Sequence, residues 1–386
     1  MRRFHPVLVL VLIALVIAVV SDRLSVPDSV YATPIPLDPS IDAIAHVDSV
    51  RALGAGRWVR CFRGPDGIVY LRNRLMTRDG GHTVEPQERI DVEPLNMHVE
   101  RAMLVAGDLL YAAKGRARRV GDGSYRVATF RSTDGLTTLE ADSATVLVPD
   151  GPTREPEPGE WYGLFVFGNI VVLPDGSWLM SMYGNFEQDT IVPWDRSAAA
   201  ETSAMQRSFV VRSTDEGRTW NHRATIAAPR RGDPVGEGFV EPTIARLPDG
   251  RLLAVLRTGH HHPAYASWSD DDGRTWSPPV YTGLDRACDP TLLVLADGRV
   301  ALAWGRRYRE GWSRIGPEGD HERFEYPGEG FVNLALSEDG GLTWTTQPIA
   351  RGAGSCYAYP IEVEPNVLLV QVDQWIVRVH LAPRVD

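Results

Sequence analysis

An octapeptide of the form S/T-x-D-x-G-x-T-W occurs intact three times in the 386-residue chain. The copies are STDEGRTW at 213–220, SDDDGRTW at 269–276 and SEDGGLTW at 337–344. Degenerate copies stand at 77–84 (TRDGGHTV) and 132–139 (STDGLTTL). Recurrence over tens of residues marks a repeat architecture. The residue types fit a corner: an Asp side chain bonds backbone N–H groups of its own turn. Gly admits the positive φ that closes the turn, and Trp anchors it by burying a large ring. Asp215, Asp271 and Asp339 are therefore read as structural.

A second pattern alternates with the first. An apolar run, an Asp-Gly-type turn and a second apolar run appear at 171–184, 245–258 and 293–305, with weaker copies at 61–71, 102–115 and 361–373. Each reads as a β-hairpin, because Asp-Gly supplies the dihedrals that a tight hairpin turn requires. A unit is then strand, turn, strand, loop, strand, octapeptide, strand. Units span roughly 57–95, 98–148, 161–228, 238–281, 287–350 and 355–384. The expectation is an all-β chain: a six-bladed β-propeller of four-stranded antiparallel blades over 57–386, with five blades as the alternative. The last unit lacks a fourth strand, which a segment near the N-terminus is expected to supply. Both turn types fall on one face. The starts of the inner strands share the other, where loops collect ligand-binding residues.

Thirty-six glycines and 28 prolines agree with many short strands and turns. The formal net charge of −10 excludes general nucleic-acid binding. Lys114 is the only lysine, so arginine is the default cation here. Arg2 and Arg3 precede an unbroken apolar run, Val7–Val20, and Val30-Tyr31-Ala32 offers a small-residue cleavage site. Residues 1–32 read as a signal peptide or an uncleaved membrane anchor, the chain's one expected contact with a membrane. Either places the remainder outside the cytoplasm. Residues 33–56 read as a linker or lead-in strand. Cys61, Cys288 and Cys356 match no metal spacing and read as small buried residues.

The octapeptides resemble the Asp-boxes of the sialidase (neuraminidase) superfamily. The resemblance implies a retaining glycosidase acting on sialic acid or a related terminal acidic sugar, without cofactor or metal. Such enzymes use Tyr as nucleophile, which avoids repulsion by a carboxylate-bearing substrate. A Glu assists the Tyr, an Asp serves as general acid, and three arginines grip the substrate carboxylate. In GFVEPTIARLPDGRLLAVLRT (238–258), Glu241 and Arg257 match the Glu and one Arg. In GSCYAYP (354–360), Tyr359 matches the nucleophile, with Tyr357 the alternative at the same strand parity. In 99–135, Arg101 matches the first arginine and Asp122 the acid. If 57–95 is the true first blade, Arg60 replaces Arg101.

The chain departs from this pattern in one place. Phe331 of Phe331-Val332-Asn333-Leu334 stands where the third arginine belongs. Arg306, Arg307, Arg314 and Arg323 on the long loop 305–330 are the available substitutes. Losing one charge-assisted bond costs about 1.5–3 kcal/mol, so the ligand is expected to be a different glycan if none of them reaches in. A non-catalytic chain that binds glycan or protein is the competing expectation. His260-His261-His262 reads as a polar loop, because successive strand residues point in opposite directions and rarely share one ion.

Overall fold

The computed structural model describes residues 44–384, apart from 54–59, 89, 97–100, 158–159, 194–203, 234, 260–261, 285–286, 307–312, 316–320, 324–330, 352–356 and 373–374. Residues 1–32 and most of 33–56 lie outside the described residues. Among those described, no helix is long and apolar enough to cross a membrane.

The described chain is almost wholly β. Strand β1 (Ala45–Ala52) opens it. Strands β2 to β5 follow (Phe62–Arg63, Val69–Leu71, Leu75–Thr77, Glu85–Pro86), then a short helix α1 (Glu93–Asn96). Next come β6 (Arg101–Ala106), β7 (Leu109–Gly121), β8 (Ser124–Ser132) and β9 (Glu140–Leu147). Strands β10 to β13 are Leu164–Val172, Trp178–Gly184, Arg207–Ser213 and Thr219–Ala227. Strands β14 to β17 are Val240–Arg246, Leu252–Arg257, Tyr265–Ser269 and Val280–Tyr281. Strands β18 (Cys288–Val294) and β19 (Val300–Arg306) lead to a small hairpin, β20 (Ser313–Ile315) and β21 (His321–Arg323). Then come β22 (Phe331–Ser337), β23 (Thr345–Arg351), β24 (Ala358–Glu364), β25 (Val367–Val372) and β26 (Trp375–Leu381).

The expectation of six separate blades is not met. Four sheets have four strands each, with orders β2-β3-β4-β5, β14-β15-β16-β17, β18-β19-β22-β23 and β1-β26-β25-β24. The second and third repeats instead merge into one closed barrel of eight strands, β10-β11-β12-β13-β9-β8-β7-β6. The cause is pairing between repeats. Outer strand β13 runs parallel to β9, with Thr219 opposite Thr145. Inner strand β10 runs parallel to β6, with Gly168 opposite Ala102. The second contact lies where the β10–β11 register slips between Val166 and Ile170. The extra residues of such a bulge bend a strand, here toward its neighbour.

The octapeptides form the corners expected of them. In each of the five, the first Ser or Thr hydroxyl donates to the Asp and accepts the N–H two residues beyond it, as in Ser213–Asp215 (2.7 Å) and Gly217–Ser213 (2.8 Å). The Asp then accepts a further backbone N–H, Thr219 to Asp215 at 2.8 Å in the same copy. Trp220 is fully buried and donates to the Gly217 carbonyl at 3.1 Å. The fifth position needs left-handed backbone. Gly fills it in four copies, but in the copy at 132–139 it is Leu136, at φ 63°. The fully buried Leu136 side chain packs with Phe62, Tyr70 and Leu110.

Candidate functional site

The starts of β14, β18 and β24 carry the same two-residue pattern: Glu241-Pro242, Asp289-Pro290 and Tyr359-Pro360. In the first two the ladder slips by one residue at this point. Proline suits a bulge because it has no N–H to lose from the ladder. Glu241 and Asp289 adopt left-handed backbone there, with φ of 45° and 50°. That conformation costs about 1–2 kcal/mol for a non-glycine residue. From these positions the Glu241 carboxylate reaches the Asp289 backbone N–H, and the Asp289 carboxylate reaches Arg60 and Tyr359. Tyr359 lies in regular register, opposite Gln371.

These residues form one buried network. The Tyr359 hydroxyl donates to Asp289 Oδ2. Asp289 Oδ1 takes Arg60 Nη2 at 3.0 Å, and neither side chain is more than 5% exposed. The Arg60 guanidinium is sandwiched between the rings of Phe167 (4.4 Å) and Tyr359 (4.6 Å). The Asp289 N–H donates to Glu241 Oε2 at 2.9 Å. Glu241 Oε1 accepts from Arg257 Nη1 at 2.5 Å, and Arg257 Nη2 reaches Glu237 at 3.3 Å. Burial pushes the Asp289 carboxyl up to about 7, with Arg60 opposing and the Glu241 charge adding. Burial also raises the Tyr359 hydroxyl well above its ordinary value, with Arg60 opposing and Asp289 reinforcing. At neutral pH the phenol therefore carries its proton and hands it toward a carboxylate near its midpoint.

The other sequence candidates fall in different places. Arg101 is buried, but its guanidinium donates to the carbonyls of Leu95, Arg60 and Cys61. Burial and the neighbouring Arg60 lower it to about 9. Of the two first-arginine candidates, Arg60 is the one in contact with Tyr359 and Asp289. Tyr357 is half-buried against the cluster containing Leu53, Cys61 and Val69. Asp122 sits in the β7–β8 turn with its side chain 98% exposed, paired to Arg119 at 2.5 Å. None of its described contacts reaches Tyr359 or Glu241. The backbone register puts Phe331 between Arg306 and Arg351, its partners on the flanking strands. His262 is buried, and His260 and His261 lie outside the described residues. Cys61 and Cys288 are buried free thiols, and Cys356 is outside the described residues. Cys61 donates to the Tyr359 carbonyl at 3.6 Å, and burial pushes its thiol up to about 12. Among the described residues, no group of three or more His, Cys, Asp or Glu side chains could hold a metal ion.

The sequence reading gave no role to Asp289, Glu237 or Phe167. The recurring Glu-Pro, Asp-Pro, Tyr-Pro pattern was the readable signal. It puts a polar side chain at the same position of three successive inner strands.

The BNR repeat-like domain family model matches residues 109–367. The chain belongs to that family. Its repeats are thus of the sialidase/BNR-repeat superfamily. No curated protein matches the chain at the sequence level. Among solved structures, a Dyadobacter fermentans protein of unknown function aligns over 88% of this chain and 100% of its own, with 17% identity and a TM-score of 0.56. Hadza microbial sialidase Hz136 aligns over 84% of this chain and 65% of its own length, with 14% identity and a TM-score of 0.51. A Trypanosoma rangeli sialidase bound to the inhibitor DANA aligns over 85% of this chain and 55% of its own, with 13% identity and a TM-score of 0.47. This chain thus spans about two thirds or less of those two sialidases. The first two likenesses establish a shared fold.

Proposed function

We propose that the chain is an exported glycoside hydrolase of the sialidase-like fold, with Tyr359 as nucleophile and Asp289 as its base. One observation carries this reading: the Tyr359 hydroxyl donates to a buried carboxylate while a guanidinium lies against its ring. The Tyr359 oxygen attacks the anomeric carbon as its proton passes to Asp289 Oδ2 and the glycosidic bond breaks. Arg60, 4.6 Å from the ring centroid, stabilises the negative charge that develops on the phenol oxygen. Glu241 is a positioning residue, since it holds the Asp289 backbone N–H and is itself held by Arg257. The resemblance assigns protonation of the leaving oxygen to Asp122. Water then attacks the glycosyl-tyrosine as its proton passes to the Asp122 carboxylate, the tyrosyl–sugar bond breaks, and Asp289 returns its proton to the Tyr359 oxygen. The sugar implied is sialic acid or a related terminal acidic sugar, and the basic, apolar N-terminal segment supports export.

A second reading rests on a different observation. Arg60, Arg101 and Arg257 are each engaged by internal carboxylates or carbonyls. A substrate carboxylate has to displace one of these partners, which favours a neutral sugar. With such a sugar, Asp289, near neutrality, serves as general acid and Glu241 as the second carboxylate of the usual glycosidase pair.

Hydrolysis of fluorogenic sialosides, neutral pentosides and neutral hexosides by the full chain separates these readings. Sialoside turnover abolished in Tyr359→Phe supports the first. Turnover of a neutral glycoside that survives Tyr359→Phe but is lost in Asp289→Asn supports the second. Asp122→Asn tests the acid separately, because loss should be greatest for poor leaving groups. No turnover of any glycoside, with glycan binding retained, identifies a binding protein.

A further inference from the structure

The long β7–β8 hairpin continues past Lys114, the last residue paired with β6, and faces residues 152–156 and 162–163. Between them lies a cavity of about 310 Å³, lined by Arg116, Arg118, Arg119, Arg154, Tyr125 and Tyr162. Four arginines gather around one small cavity although the chain's net charge is −10. Their commitments differ. Arg154 lies over the Tyr162 ring at 3.7 Å and forks onto Glu160 at 2.7 and 2.5 Å. Arg119 pairs with Asp122, and its buried Nε has no hydrogen-bond partner among the described residues. Among the described residues, Arg116 donates only to the Tyr162 carbonyl, at 3.4 Å. Arg118 is exposed, stands opposite Arg126 on β8, and forms no ion pair among the described residues. Glu155 is the acidic residue lining the cavity. Glu187, nearby, accepts both the N–H and the hydroxyl of Thr153.

An aromatic platform adjoins this cavity. Trp161 is 39% exposed, and its ring stacks on Phe165 at 4.7 Å with 3° between the planes. Phe165 stands opposite Arg116 across the β7–β10 ladder. From Phe165 the rings continue inward through Tyr183 (5.1 Å) and Phe167 (5.9 Å) to Arg60 and Tyr359. The apolar C–H face of a sugar packs on such a ring, while a fixed cation beside it takes an anionic substituent.

We infer that this cavity is a subsite for an acidic saccharide, with the sugar on Trp161 and its carboxylate or sulfate on Arg116 and Arg118. Stacked rings join it to the Tyr359 network, so it holds a second unit of a glycan whose terminal sugar reaches that network. The inference stands whether or not Tyr359 is a nucleophile, because it is read out by binding alone. Attraction of this kind weakens with ionic strength.

The test is calorimetry of the full chain with three probes: a uronate-containing disaccharide, its carboxyl-reduced neutral counterpart, and sodium sulfate. The acidic disaccharide should bind at least tenfold more tightly than the neutral one, more weakly as salt rises. The double variant Arg116→Ala/Arg118→Ala should lose about 100-fold, roughly tenfold per charge-assisted contact. Trp161→Ala should weaken both disaccharides together. Equal binding of the acidic and neutral disaccharides overturns the inference. So does full affinity in the double variant, or in exposed-site Arg118→Gln should the double variant fail to fold. Sulfate binding as tightly as the acidic disaccharide overturns the saccharide assignment and leaves an inorganic anion site.

Discussion

The octapeptide corners and the Tyr359 network both place an aspartate beside left-handed backbone, and the two regions treat its charge in opposite ways. Asp134 is open to solvent, and the N–H and hydroxyl of Thr138 bring its carboxyl down to about 2. The side-chain hydroxyl of Thr83 leads the same effect on Asp79, also to about 2. Asp289 is fully buried and is driven up to about 7. The corners repeat five times and use Gly at the left-handed fifth position in four of them, so each is a local solution to turning the chain. The network places Glu241 and Asp289 themselves in that conformation, once each, where a glycine would be easier. At Glu241 and Asp289 strain and buried charge coincide where side chains converge, which is the usual mark of a working site.

The sharpest way to break the comparison is activity. Asp289→Asn should lower turnover by about 10²–10⁴-fold, the usual contribution of a positioned acid or base. Asp271→Asn, in a corner, should leave turnover within a few-fold once both proteins are assayed well below their melting points. In the first reading the wild-type rate should rise with pH through about 7 as Asp289 becomes a base. In the second it should fall over the same range. Equal losses in the two variants would erase the distinction between corner and network.

Packing comes next. Gly168 stands on β10 where Glu241 and Asp289 stand on β14 and β18, at φ 87°. A Cβ there would lie 2.5 Å from the Pro242 carbonyl oxygen and 2.7 Å from Ser181 Oγ. Gly168→Ala should cost about 2–4 kcal/mol, combining overpacking with left-handed strain. The melting temperature reports it.

Leu136 sharpens the comparison at a corner. Replacing it by Gly relieves about 1–2 kcal/mol of left-handed strain but removes a fully buried side chain, worth about 2–5 kcal/mol. Burial wins, so Leu136→Gly should be destabilising by about 1–3 kcal/mol in denaturant unfolding. A stabilised variant would mean that this degenerate copy is a defect rather than part of the core.

The smallest effect is the pH dependence of stability, and the two regions should differ in sign. Asp134 has a folded value below its ordinary one, so its contribution is present above about 3.8 and disappears as pH falls through about 2. Asp289 has a folded value above its ordinary one, so its contribution is greatest below about 3.8 and is lost as pH rises through about 7. The wild-type advantage over Asp134→Asn should therefore grow from pH 2 to 4. The wild-type advantage over Asp289→Asn should shrink from pH 4 to 8. Acid and neutral denaturation series check both.

The sequence by itself determined the corners, the hairpins and the all-β class. Each depends on hydrogen bonds within about eight residues, and residue type alone fixes them. Glu241, Arg257 and Tyr359 could be picked out because they sit at fixed positions of a repeat. Tertiary structure decided the rest. Asp289 lies 70 residues from Tyr359 and 229 from Arg60, and nothing local links them. The choice of Arg60 over Arg101 turns on which guanidinium meets a carboxylate and which meets backbone carbonyls. Two repeats fuse into a closed barrel because β6 meets β10 and β9 meets β13. Backbone donors along a strand edge carry no sequence label, so only the placement of the sheets selects their partners.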